Sequence, residues 1–268
     1  GIRLDGDRPW DPRIVDERVL GALLRRGLTG LGDAYVEGWW ECDSLDLFFE
    51  RALGAGLSRR LRWHPHVIGT WLRDWLINAQ TRARAIRNGR AHYNLGTELF
   101  EAMLDPHMAY SCGFWRDAAT LEEAQTAKLD RVCQKLGLKP GMRVLDIGSG
   151  WGSFVRFAAG RYGIACSGIT VSDHQAEYAR ERCAGLDVEI MLDDYRSLDR
   201  KFDRIASIGM FEHVGNKNYR TYMKVAHRCL ADDGLFLLHT FAQRDSFPNR
   251  THSEVDWVER HIFPGMVV

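Results

Sequence analysis

The sequence predicts an α/β fold in which helices cover both faces of a parallel sheet, preceded by a small helical domain. Residues 1–88 show only helical spacing of apolar residues, whereas strand-like and helix-like segments alternate from Thr120 onward. A glycine-rich loop directly follows the first apolar strand of the second part, in "MRVLDIGSGWG". We therefore expect a helical domain at residues 1–88 and an α/β domain at residues 89–268.

The composition excludes several classes of protein. The chain has 268 residues with 45% hydrophobic content, which suffices for one sizeable core and a smaller second domain. Its 36 basic residues balance 36 acidic ones, so nothing favours binding to nucleic acid. The six cysteines form no CxxC pair, which favours reduced thiols and no metal site. With no apolar run near the roughly 18 residues of a membrane span and no signal-peptide pattern, we expect a cytoplasmic protein that at most touches a membrane surface.

The N-terminal part is helical in "DERVLGALLRRG" and "SLDLFFERALGAG", with glycine-containing turns between helices. The stretch "HVIGTWLRDWLINAQTRARAIRNGR" then predicts one long amphipathic helix with a basic end. Such a helix is able to lie on an anionic lipid surface, but its apolar stripe is more typical of a protein core. The apolar face would consist of Val67, Ile68, Trp71, Leu72, Trp75 and Leu76, and the basic end of Arg82, Arg84, Arg87 and Arg90.

The α/β part begins with a well-marked helix. Thr120 and Glu123 have the spacing of a capping box, and Gly137 stands where a glycine ends a helix. Strands and helices then alternate, which places ligands at the carboxyl ends of the strands. The alternating segments are "MRVLDI", "IACSGIT", "DHQAEYARERC", "DVEIML", "FDRIASIGM", "YRTYMKVAHRCL" and "GLFLLHTF".

The glycine loop holds Gly148, Gly150 and Gly152, which let a ligand approach the backbone closely. Its GxGxG spacing differs from the GxGxxG of dinucleotide-binding folds, and no P-loop lysine follows. Because the loop carries no cation to meet a phosphate, it suits S-adenosylmethionine, whose sulfonium centre is positive. The alternative is a tight turn from strand to helix with no ligand.

The stretch "IGMFEHVG" places Glu212 and His213 directly after a strand that reads as buried. Burying an unpaired carboxylate costs several kcal/mol, so Glu212 is a candidate functional residue. His213 need not point into the same space, and we expect it to be structural.

Five stretches together resemble the cyclopropane-fatty-acyl-phospholipid synthase family, whose relatives include the mycolic acid cyclopropane synthases. The resemblance spans nearly the whole chain and implies a Rossmann-like S-adenosylmethionine-dependent methyltransferase. It further implies methyl transfer to the cis double bond of an unsaturated phospholipid in the bilayer, then proton loss to a bound bicarbonate and ring closure. The stretches are "GLGDAYVEGWWECDSLDLFF", "HYNLGTELFEAMLDPHMAYSCGFW", "LKPGMRVLDIGSGWG", "FDRIASIGMFEHVG" and "GLFLLHT".

The resemblance also implies the site residues. Cys112, Glu212, His239 and the backbone of Phe241 would form the catalytic bicarbonate pocket. Gln175 would take the ribose, because no acidic residue ends the second strand of the sheet. The implied cofactor-binding residues are Tyr110, Ser111, Asp146, Gly148, Gly150, Gly152, Thr170, Gln175, Asp194, Tyr195 and Ile208.

Finally, the resemblance implies a homodimer whose helical domain docks on the inner face of the membrane. Members of the family continue beyond the point matched by "HIFPGMVV", so we expect the C-terminal part of the methyltransferase domain to be missing here. Two alternatives share these motifs. One is methylation of the alkene without ring closure, which gives a branched chain, and the other is a lipid- or cofactor-binding protein without turnover.

Overall fold

The computed structural model describes residues 1–56, 76–78, 80–93, 96–241, 257–258 and 261–262, with side chains in 88–93 excepted. The chain divides into two compact units, one formed by residues 1–78 and 243–264 and the other by 79–242 and 265–268. Within the described ranges, no helix has the length and apolar character needed to cross a bilayer.

The first unit is mainly helical. A short antiparallel pair joins β1 (Arg13–Ile14) to β2 (Trp40–Glu41), and the helices are α1 (Arg18–Val36) and α2 (Leu45–Gly54). Both helices were predicted, but α1 continues past the expected glycine break as a kink at Gly27, which has φ 57°. The hydrophobic core of this unit contains Val19, Ala22, Ala34, Trp40 and Phe48.

The predicted long amphipathic helix is interrupted. Leu76 is helical, but the chain leaves helical conformation after it, and α3 (Arg82–Tyr93) begins a separate helix in the second unit. In this break the carbonyl of Gln80 accepts hydrogen bonds from Arg196 at 2.8 Å and from Asn218 at 3.0 Å, which stabilise the non-helical backbone there. The basic end is therefore not continuous with the apolar face, whose other members, Val67, Ile68, Trp71, Leu72 and Trp75, lie outside the described residues.

The second unit contains a parallel five-stranded sheet of order β5-β4-β3-β6-β7, as the alternating pattern predicted. The strands are β3 (Arg143–Ile147), β4 (Ala165–Thr170), β5 (Val188–Leu192), β6 (Phe202–Ile208) and β7 (Leu230–His239). The helices are α4 (Thr97–Met103), α5 (Leu121–Leu136), α6 (Ser153–Tyr162), α7 (Asp173–Arg182) and α8 (Tyr219–Cys229), with short 3-10 turns at Tyr195–Ser197, Phe211–His213 and Asn216–Asn218.

Helices lie on both faces of this sheet, and alternate strand residues point to opposite faces. Val144 of β3 packs in one core with Leu129 of α5 and Phe154 of α6. Its neighbour Leu145 packs in the other core with Tyr222 of α8. The α/β fold with helices on both faces is confirmed.

The strand order reverses at the centre of the sheet, where β3 lies between β4 and β6. In parallel sheets this reversal opens a crevice at the carboxyl ends of the strands, where ligands bind. Here the crevice is bounded by the loop after β3 and by the residues that end β6 and β7.

Candidate active site

The glycine loop after β3 has the close packing that a cofactor loop requires. Gly148, Gly150 and Gly152 have φ values of 87°, 54° and 83°, a region that disfavours residues with a Cβ. The loop lies against β4, because the backbone amides of Gly148 and Ser149 both donate to the carbonyl of Ile169 at 3.0 Å.

A cavity beside this loop collects most of the predicted cofactor residues. The stretch before α5, the end of β3 with its loop, and the end of β6 line it, together with residues of α5, α6 and α7. The predicted residues on its wall are Tyr110, Ser111, Asp146, Gly148, Gly150, Gln175 and Ile208.

Four predicted cofactor residues do not line the cavity. Thr170 donates from its hydroxyl to Gln175 Oε1 at 2.8 Å and so orients a residue that does. Asp194 accepts hydrogen bonds from the backbone amide of Arg196 at 2.9 Å and from its guanidinium at 2.7 Å. Tyr195 is buried, and Gly152 precedes α6. Their contacts with a cofactor stay predictions.

The residues of the cavity fit an amino-acid cofactor. Among the described side chains, buried Asp146 Oδ1 and Ser149 Oγ have no hydrogen-bond partner. Buried polar groups are normally paired, so these two atoms are suited to receive a ligand's donors. S-adenosylmethionine carries an ammonium and two ribose hydroxyls, all of which donate.

Two charged residues of the cavity have shifted pKa values. Burial raises the pKa of Asp146 to about 7, an effect that Lys128 opposes. Burial also lowers the pKa of Lys128 to about 8, while Asp105, Cys112 and Asp146 raise it. Sequence reasoning missed Lys128, because a lysine in an amphipathic helix is usually exposed.

The structure brings the four predicted catalytic residues together. The ends of β6 and β7 are paired, with Ile208 opposite His239. Cys112 Sγ lies 3.5 Å from His239 Nε2, and the backbone amide of Phe241 donates to Glu212 Oε1 at 2.9 Å.

This pocket has the donors and acceptors to hold a small ion. In the described part of the chain, Glu212 Oε2 and His239 Nδ1 are buried without a hydrogen-bond partner. Burial is the main cause that lowers the pKa of His239, and Lys128 lowers it further while Glu212 raises it. A neutral imidazole and a carboxylate suit an ion that both donates and accepts, and bicarbonate does both.

His213 differs from His239. Burial lowers its pKa to about 4, so the ring is neutral at physiological pH. Its backbone amide donates to the carbonyl of Met210 at 2.9 Å within the 3-10 turn that carries Glu212. A structural role, as expected from the sequence, remains a prediction.

Comparison with known proteins identifies the family. The model of the family described as mycolic acid cyclopropane synthetase matches residues 80–267. The chain belongs to this family. It is also 49% identical over 269 residues to cyclopropane-fatty-acyl-phospholipid synthase of Escherichia coli strain K12, covering 99% of this chain and 68% of that protein.

Mycobacterial members of the cyclopropane synthetase family are more distant. Cyclopropane mycolic acid synthase 3 of Mycobacterium tuberculosis is 39% identical over 192 residues, covering 66% of this chain and 67% of the relative. The crystal structure of mycolic acid cyclopropane synthase CmaA1 complexed with SAH and CTAB superposes with a TM-score of 0.64 at 36% identity, covering 68% of this chain and 69% of that one. The expected family, fold and enzyme class, an S-adenosylmethionine-dependent methyltransferase, are confirmed.

Proposed function

We propose that this cyclopropane synthetase family member adds a methylene unit to the cis double bond of an unsaturated acyl chain in a membrane phospholipid, giving a cyclopropane. The observation that carries the proposal is the cluster of Cys112, Glu212 and His239 beside the ends of β6 and β7. Membership in the family supports it.

The reaction needs a methyl donor and a base. S-adenosylmethionine supplies an electrophilic methyl group, which becomes bonded to one alkene carbon while S-adenosylhomocysteine leaves. The methylated chain then carries positive charge, which the carboxylate of Glu212 would stabilise. Loss of one proton from the new methyl group allows the second carbon–carbon bond to form and closes the ring.

We infer that a bicarbonate ion held in the pocket accepts this proton. Glu212 Oε2 would orient it, while His239 would contribute Nδ1 or Nε2 as its tautomer allows. Glu212 Oε1 is fixed by the amide of Phe241, so the side chain cannot turn away when the site fills.

The test is an assay with methyl-labelled S-adenosylmethionine and vesicles of unsaturated phospholipid, with and without bicarbonate. We expect label in a cyclopropane acyl chain, and a loss of at least about 100-fold in rate for Glu212→Gln, which keeps the acceptor for Phe241 but removes the charge. Glu177→Gln, an exposed change on α7, should leave the rate unchanged. Binding of S-adenosylhomocysteine without transfer of label to lipid would favour the binding-protein alternative and contradict the proposal.

We further propose that α3 attracts the protein to an anionic membrane surface. Arg82 and Arg87 are exposed on this helix, although Arg82 also pairs with Asp193 at 2.9 Å. Combined Arg84→Glu and Arg87→Glu changes should reduce co-sedimentation with anionic vesicles at least about tenfold, since each basic residue near such a surface contributes about 1 kcal/mol. The control replaces Arg116 and Lys135 with glutamate, which makes the same change in net charge. Equal losses of co-sedimentation in the two double variants would contradict the proposal.

The homodimer stays a prediction, which sedimentation equilibrium would test.

A further inference from the structure

The described residues that line the cofactor cavity include one basic side chain, Lys128, and one acidic side chain, Asp146. No ion pair joins the two among the described residues. Two opposite charges therefore face the same cavity without neutralising each other directly. Buried charges in such an arrangement are stabilised when a ligand supplies their partners.

Lys128 is buried although its side chain carries a charge. It lies on α5 with 6% of its surface exposed, and its Nζ donates to Ser111 Oγ at 2.9 Å. An ammonium has three donors, and this hydrogen bond uses one. Since burying a lysine is unfavourable, a second partner for its charge is expected.

Anchoring the segment before α5 does not require Lys128. Gln125, one turn earlier on the same helix, donates from Nε2 to the carbonyls of Ala109 at 3.2 Å and Ser111 at 2.7 Å. These two bonds already fix the backbone that carries Tyr110 and Ser111. The charge of Lys128 is therefore left without a structural explanation.

Other nearby acids are engaged elsewhere. The carboxylate of Asp105 accepts from the amide of Ala109 at 2.9 Å and from that of His107 at 3.0 Å. The thiol of Cys112 contacts His239. Lys128 retains its charge at neutral pH, because burial lowers its pKa only to about 8.

We propose that Lys128 binds the carboxylate of the amino-acid end of S-adenosylmethionine. That end of the cofactor carries one carboxylate and one ammonium, the complement of the one ammonium and one carboxylate in the cavity. Lys128 would then be the residue by which the enzyme distinguishes adenosyl compounds that have this carboxylate from those that lack it. The inference rests on the proposed function only in taking S-adenosylmethionine as the cofactor.

The test compares two ligands by titration calorimetry: S-adenosylhomocysteine and its analogue in which hydrogen replaces the carboxyl group. We expect Lys128→Met to lower the affinity for S-adenosylhomocysteine by about 10- to 100-fold, the effect of losing a charged hydrogen bond. The affinity for the analogue should change by less than about twofold. Lys135→Met removes an exposed lysine from the same helix and should change neither affinity.

Equal weakening of both ligands by Lys128→Met would show that the lysine only supports Ser111, and no weakening of either would also overturn the proposal. A loss of bicarbonate dependence with unchanged affinities would place its charge in the catalytic pocket instead. If Lys128→Met does not fold, Lys128→Gln takes its place with the same expected split between the two ligands, and a wild-type protein that binds S-adenosylhomocysteine less than about tenfold more tightly than the analogue would also overturn the proposal. Failure of the phospholipid reaction leaves these affinities, and hence this inference, untouched.

Discussion

The charge of Asp146 is unfavourable for the fold. The carboxyl group is buried, one of its oxygens has no partner among the described residues, and burial raises its pKa to about 7. Its folded pKa therefore lies above the ordinary value of 3.8. The carboxyl group therefore favours the folded state while it is protonated. This contribution to stability is fully present below about pH 4 and is lost as the pH rises through 7. Residues retained against stability in this way are typical of binding sites.

We predict that Asp146→Asn stabilises the protein at alkaline pH. At pH 8 its free energy of unfolding should exceed that of the wild type by about 1–3 kcal/mol, because the amide is never ionised. The difference should shrink at pH 5, where the wild-type carboxyl is mostly protonated in the fold. Urea denaturation at the two pH values measures it.

The matched control is Asp187→Asn, which changes an exposed carboxylate just before β5. It should alter the free energy of unfolding by less than about 0.5 kcal/mol at either pH. An Asp146→Asn gain that is the same at pH 5 and pH 8 would mean that ionisation is not the cause.

At the scale of single elements, α5 supplies both Gln125 and Lys128 to the site and depends on its cap. Thr120 Oγ1 accepts from the amide of Glu123 at 3.2 Å, and Glu123 Oε2 accepts from the amide of Thr120 at 3.2 Å. Gly137 ends the helix with φ 59°. All three features were predicted from the sequence, because a cap depends on residues three positions apart.

We predict that Thr120→Ala lowers the free energy of unfolding by about 1 kcal/mol, the usual contribution of an N-cap side chain. Thr120→Ser keeps the oxygen and should lie within about 0.3 kcal/mol of the wild type. Chemical denaturation compares the variants. Equal losses in both would indicate that the methyl group of Thr120, and not its hydroxyl, is important.

The position of the glycine loop also depends on Gly168 of β4, a glycine outside the loop. A Cβ at Gly168 would lie 2.8 Å from both Cβ and Oγ of Ser149, closer than packing allows. Gly168→Ala should therefore displace the loop and lower the affinity for S-adenosylhomocysteine about tenfold. It should also lower the free energy of unfolding by about 1–3 kcal/mol. Calorimetry and thermal unfolding measure the two effects.

Gly160→Ala is the control for this change, since its added Cβ would meet nothing closer than Leu186 Cδ2 at 3.9 Å. Within a helix such as α6 alanine is favoured over glycine, so we expect unchanged binding and a gain of up to about 1 kcal/mol in stability. Unchanged binding in both variants would contradict the role given to the contact between β4 and the loop.

What the sequence could not predict depends on contacts between distant residues. The helix break near Gln80 is stabilised by hydrogen bonds to Arg196 and Asn218, 116 and 138 positions away. In the sequence Lys128 looks like an ordinary helical lysine. Its burial and its hydrogen bond to Ser111 become apparent only in the structure. Local patterns such as "TLEEAQTAKLDRVCQKLG" predicted elements well because their causes are local.

At the scale of the second unit, the strand order assembles the site. The loop after β3 bounds the cofactor cavity, His239 ends β7, and Glu212 lies in the 3-10 turn that follows the neighbouring strand β6. Cys112 comes from the segment before α5, and its Sγ contacts His239, which lies 127 positions later in the sequence. The residues alone singled out Glu212, as a carboxylate directly after a strand that reads as buried, whereas His239 and Cys112 were named only through the family resemblance.

The most direct test of the account uses S-adenosylmethionine whose methyl group carries three deuterium atoms. Cyclopropane formation removes one hydrogen isotope from the new methyl group to a base and leaves no double bond. Methylation without ring closure leaves a double bond in the chain, whether the proton is lost from the methyl group or from a neighbouring chain carbon. The measurement is mass spectrometry of the acyl chains after reaction with unsaturated phospholipid vesicles. We expect a product that retains two deuterium atoms and has lost its double bond. A product that retains all three would contradict ring closure through the pocket of Cys112, Glu212 and His239.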